Sequence, residues 1–191
     1  MKTITHLLFA CCLSLPLLAA EPQSEAALIK VLTDGASTHH QKNDACIELG
    51  RVGTQAAVAP LAALLADDKL AHMARYALET IPHPSVDEAL RAALGRLQGR
   101  LLTGVIQSVG VRRDAQAVPA LAKHLGATDP EVAAAAAVAL GRIGTPAARE
   151  PLVGALGRVP AAAEGLLACA EAAVPTDACA LYDRLRAAQV P

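Results

Sequence analysis

A chain of 191 residues holds one ordinary domain or one short repeat array. It is 53% hydrophobic yet only 2% aromatic, with no Trp and one Phe, so its core must be built from Leu, Val, Ile and Ala, and no alternating Val/Ile/Thr run between hairpin turns argues for strands. A formal net charge of −1 leaves no basic field to hold a nucleic acid.

Residues 1–20 read as a secretory signal peptide. Lys2 is their only formal charge, Leu7 to Leu18 form an apolar stretch, and Ala19-Ala20 precede the polar Glu21-Pro22-Gln23. The stretch is too short to span a bilayer comfortably. Residues 21–191 are therefore expected to be exported, periplasmic or secreted, with no membrane span in the mature chain. Leu8-Phe9-Ala10-Cys11 fits a lipoprotein signal poorly, so lipid anchoring is not expected. After cleavage 16 of the 17 basic residues face all 18 acidic ones, which again excludes nucleic acid as the partner.

Beyond the leader, two leucines four apart recur down the chain: Leu28/Leu32, Leu61/Leu65, Leu90/Leu94, Leu121/Leu125, Leu152/Leu156 and Leu181/Leu185. Their first members are 33, 29, 31, 31 and 29 residues apart. An i, i+4 leucine pair marks one helical face, and a constant pitch marks a repeat. Turn signals stand six to eleven residues before each later pair: Gly50 and Gly53, Pro82 and Pro84, Gly110, Gly141 and Gly144, and Pro175. Each period thus holds two helices, the second carrying the leucines.

In chain order this predicts a lone helix over 24–33 and then helical pairs. They span 38–66, 69–97, 100–126, 130–157 and 161–188, the last departing most from the pattern. The expected fold is all-α, a right-handed α-solenoid of about five helical pairs. Asp129 to Leu156 is the clearest unit. Asp129 is a capping acceptor, Pro130 suits the first helical position and Glu131 opposes the dipole; Gly141 to Gly144 breaks the helix. Thr54, Asp114 and Thr145 are the expected caps of the leucine helices. In the second pair the cap is either His83 or Ser85, the latter boxed with Glu88. A pair of about thirty residues cannot bury its apolar stripe alone, so each covers the next. The ends must turn polar faces outward, as Glu25, Lys30, Arg184, Arg186 and Gln189 allow.

The pattern resembles the HEAT-repeat superfamily, in particular the short bacterial type called phycobilisome-lyase-like. Ala139-Leu140-Gly141-Arg142-Ile143-Gly144 with Pro151-Leu152, and Leu49-Gly50-Arg51-Val52-Gly53 with Pro60-Leu61, carry the likeness. Val109-Gly110 with Val118-Pro119-Ala120-Leu121 is a looser copy. The second unit departs, with Leu78-Glu79-Thr80-Ile81-Pro82 where glycine is expected, so a differently bent turn is predicted there. These residues build turns and cores, and they carry no chemistry. The resemblance implies that the leucine-bearing helices line a concave binding face. Asp87, Glu88, Arg91, Lys123, His124, Arg149 and Glu150 are the polar residues expected on it, for a protein partner.

Enzymatic branches of that superfamily leave no trace. Repeated His-Glu iron ligands are missing, because no His here precedes Glu. A flipped base would need a basic face and aromatic platforms. No residues suggest a tetrapyrrole pocket, and no cofactor is implied. His40 and Asp44 share a helix face, but two ligands do not close a zinc site. Gly50 to Gly53 and Gly141 to Gly144 read as helix terminators, not phosphate loops. Arg51 and Arg142 occupy equivalent positions suited to an inter-unit ladder, which Val111 interrupts.

Cys11 and Cys12 leave with the leader, and Cys46 reads as a core thiol. Cys169 and Cys179 stand five residues either side of Val174, where an antiparallel hairpin would set them face to face. A disulfide is one reading and two buried thiols the other. The expectation is an exported, non-enzymatic interaction module. Its alternative is an accessory domain or fragment of a larger exported redox or carbohydrate-active enzyme.

Overall fold

The computed structural model describes residues 24–188. The expected leader, with Cys11 and Cys12, and the expected end-cap residue Gln189 lie outside that range. Among the described residues the chain is helical, with eleven α-helices and no strand.

The lone first helix is α1 (Glu25–Thr33), started by the Ser24 hydroxyl accepting from Ala27 N. Five pairs follow. They are α2 (His39–Val52) with α3 (Gln55–Ala63), and α4 (Ala71–Thr80) with α5 (Pro84–Leu94). Next come α6 (Gly99–Arg112) with α7 (Val118–His124), and α8 (Pro130–Ile143) with α9 (Pro146–Ala155). The last is α10 (Ala161–Glu171) with α11 (Pro175–Ala187). A 3₁₀ turn, Leu64–Ala66, extends α3, and another, Ala115–Ala117, leads into α7. The latter splits the helix expected from 114, where Pro119 lacks the N–H to continue an α-type ladder.

Most helices pack chiefly on helices of neighbouring pairs. The first members α2, α4, α6, α8 and α10 form one layer; α1–α3, α3–α5 and α7–α9 contacts build the other. The first helix packs on α2 and α3, and the last on α10, so the ends do not share a centre. This is an α-solenoid. Between the layers the leucine pairs are buried from Leu28/Leu32 through Leu121/Leu125, while Leu156 and Leu185 are half-buried. The buried alanines of α8, Ala133, Ala135, Ala136, Ala137 and Ala139, let neighbouring helices sit against it.

Local signals resolve differently from the expectation in several places. Thr38 forms a full capping box with Gln41, its N–H donating to Gln41 Oε1 at 2.8 Å. His83, not Ser85, caps α5, Nδ1 accepting from Ser85 N at 3.2 Å. Thr145 holds the capping position of α9 without a capping bond, its buried Oγ1 unpartnered. Gly50, Gly110 and Gly141 do not terminate helices; they lie inside α2, α6 and α8. Their use is close approach. A Cβ on Gly110 would lie 2.9 Å from Ala139 Cα, and one on Gly141 only 2.6 Å from Gly165 Cα. Termination falls three residues later, at Gly53, at Arg113 and at Gly144. Arg113 (φ 54°) and Gly144 (φ 68°) are both left-handed there, and only the glycine is at ease.

Candidate functional site

The seven polar residues expected on the binding face separate into two groups. Asp87, Arg91, Arg149 and Glu150 are tied to neighbouring repeats. Arg91 on α5 pairs with Asp114, the acceptor that opens the turn before α7 through Gln116 N at 3.0 Å. Arg149 on α9 pairs with Asp177 in the first turn of α11 at 2.8 Å. Each carboxylate sits at the positive end of a helix while holding an arginine from the preceding unit. Glu150 lies 3.8 Å from Arg184, in an exposed pair that contributes little.

Asp87 receives Arg112, from the last turn of α6. The Arg112 guanidinium grips both carboxylate oxygens and also donates to the carbonyls of Ile81 at 3.0 Å, Glu79 at 3.3 Å and Leu78 at 3.4 Å. It further donates to His83 O at 3.4 Å. Here is the answer to the missing glycine of the second unit. A helix end leaves carbonyls without intrahelical donors, and a side chain from the next repeat supplies them. The predicted ladder through Arg51 and Arg142 is not formed. Arg51 pairs locally with Glu48 at 3.5 Å on the surface, and Arg142 is exposed. Arg91, Arg112 and Arg149 carry the inter-repeat bonds instead, because their guanidinium groups reach across the gap between helices.

Glu88, Lys123 and His124 remain outside this ladder. Lys123 and His124 end α7, where a positive charge complements the dipole. Glu88 lines a groove between α3 and α5 of about 610 Å³. Its floor is Val58, Ala59, Ala62 and Ala89, and Gln55, Ser85, Glu88 and Arg96 give it a polar edge of both signs. A second cavity of about 470 Å³ lies where the α7–α8 and α9–α10 connections meet, walled by Leu125, Pro130, Val159 and Pro160 with Arg158 beside them.

No sequence signal had marked Arg112, Asp114 and Asp177 as partners of the expected face. Asp114 was legible only as a cap. A polar partner lying roughly one repeat length away was the clue available.

Other chemistry is sparse. His40 Nε2 and Asp44 Oδ2 are 3.5 Å apart on an exposed helix start, and no cluster of three metal-ligating side chains occurs among the described residues. Cys169 and Cys179 are free thiols, which corrects both readings of that pair. Cys169 is buried with its Sγ turned towards Gly141 O, 3.8 Å away on α8, whereas Cys179 is exposed on α11. The hairpin faces Cys169 at the preceding repeat, not at its own partner helix. Burial raises the Cys169 thiol pKa, opposed by the positive charge of Arg149. Burial pushes the Cys46 thiol up to about 11. Both are inert packing groups.

A family model described as HEAT repeats matches residues 88–168. No curated protein matches the sequence.

Proposed function

The chain carries HEAT repeats, and from that premise we propose that it is a non-enzymatic module that binds another protein outside the cytoplasm. HEAT repeats generally mediate protein interactions. Among the described residues no helix is long and apolar enough to cross a membrane, in keeping with a module that meets its partner in solution. The leader-like residues 1–20 support export, and N-terminal sequencing of the mature product tests it: a chain still beginning at Met1 refutes it.

The observation that carries the binding role is the groove between α3 and α5. An apolar floor with a mixed polar edge suits a peptide or helix side chain more than a charged metabolite. Ala59 is an exposed floor residue, so Ala59→Arg fills the groove without entering the core. The wild-type chain should recover a stoichiometric partner from the periplasmic fraction, and Ala59→Arg should lose it while melting at the same temperature. Equal recovery by both proteins, or no partner for either, removes the groove from the reading.

A further inference from the structure

Successive first-layer helices meet at one register position, occupied by Gly50, Glu79, Gly110 and Gly141. Three of these seams close on small residues, the one at Gly50 with a single side-chain bond across it, Thr80 Oγ1 donating to Gly50 O at 2.7 Å. An added Cβ would lie 3.4 Å from Ala77 Cα at Gly50, 2.9 Å from Ala139 Cα at Gly110 and 2.6 Å from Gly165 Cα at Gly141. The seam between α4 and α6 cannot close that way, because Glu79 stands there. Arg75 is laid over Gly104 instead, donating to Gly104 O at 3.0 Å and to Ser108 Oγ at 3.4 Å. Ser108, fully buried, donates to Glu79 Oε1 at 2.6 Å.

Three of the five ion pairs between repeats among the described residues gather at the same place; Arg149–Asp177 and the exposed Arg184–Glu150 join the fourth pair to the fifth. Arg112–Asp87 and Arg91–Asp114 join the second pair to the third, and the exposed Arg100–Asp68 ties α6 to the turn before α4. Between the third pair and the fourth, by contrast, no side-chain hydrogen bond or ion pair crosses among the described residues. The connection that must bend if the polar seam parts runs from Gly95 to Gly99. A Cβ at either glycine would meet open space, and Gly99 has φ +52°.

We propose that the array is two rigid blocks, α1–α5 and α6–α11, hinged where α4 meets α6. Parting a dry seam exposes apolar surface, and nothing in the open state compensates. Parting the polar seam returns arginines and carboxylates to water, which restores most of what their pairing was worth. The polar seam therefore opens first. Its opening is a hinge motion of the kind that a few loop residues absorb. The α3–α5 groove belongs to the first block and the α7–α8/α9–α10 cavity to the second, so the hinge sets their relative position. This holds whether or not either one binds a partner.

The test uses the full chain with Cys11, Cys12 and Cys179 replaced by alanine, leaving the two buried thiols. Spin labels at Arg51→Cys and Arg142→Cys, both exposed, span the hinge. Labels at Val111→Cys and Leu167→Cys, also exposed, span only seams within the second block. The hinge-spanning distance distribution should be at least twice as wide as the control, and raising NaCl from about 0.05 M to 1 M should widen it further without moving the control. Opening brings these largely buried charges into solvent, where salt screens the attraction that would close them again. A third sample with Arg112→Ala should widen the hinge distribution most. If that variant loses its helical signal, the salt series on the intact seam still decides. Equal widths in the two pairs, or a wide hinge distribution indifferent to salt, overturn the hinge.

Discussion

The seams on either side of α6 present two solutions to one problem. Towards α8, Gly110 lets the backbones nearly touch and no polar group is needed. Towards α4, a single glutamate at the matching position is accompanied by Arg75, Ser108, Asp87 and Arg112, each bonded to something one repeat away. Replacing a hydrogen atom by a carboxylate at Glu79 thus entails a set of partners on two other helices. Repeats look interchangeable along the chain, but the contacts between them are not.

The contrast can be broken by substitution. Arg112→Ala removes the donor for four carbonyls and leaves Asp87, only 26% exposed, without its counter-ion. Urea denaturation should show a loss of about 3 kcal/mol, the scale for breaking one half of a largely buried ion pair. Gly110→Ala drives a methyl into Ala139 backbone and should cost about 2 kcal/mol. Arg113→Gly should work the other way. Its left-handed backbone strains any residue with a Cβ, so glycine should stabilise by about 1 kcal/mol. Gly104→Ala is the smallest case and the sharpest comparison with Gly110. Its added methyl meets only the tip of Arg75, at 2.7 Å, and that flexible side chain can swing away. The gain in helix propensity offsets the displacement, and the net change should stay within about 0.5 kcal/mol. A loss at Gly104 as large as that at Gly110 would mean that the polar seam is as tightly closed as the dry one.

Much of the architecture is legible before any coordinates. Leucines at i, i+4 can serve only one helical face, and their pitch counts the repeats. Caps such as Thr54, Asp129 and Pro130 act over three residues, so they can be read locally. The glycines carry a signal that is local in form and tertiary in purpose. Gly50 and Gly141 break helices in isolation, and only a neighbouring helix reveals that they are there for contact. The candidate site was harder for the same reason. The family resemblance sets Asp87, Arg91 and Arg149 on one expected face with Glu88, but does not show that a partner from the next unit already holds three of them. Glu79 was visible as a departure, yet the residues answering it stand 29 to 33 positions away. Matching each polar first-layer residue against those one repeat onward would have found them.

The leucine rungs do not grip equally along the rod. Through Leu125 both members of every pair are buried, but Leu156 and Leu185 are only half covered, and α9 begins at a threonine hydroxyl with nothing to hold. Where cohesion passes only between adjacent units, weakness at one terminus stays there instead of spreading inward. Heat or a protease will therefore peel the molecule from its carboxyl side in whole-repeat steps, leaving shortened rods that are still folded.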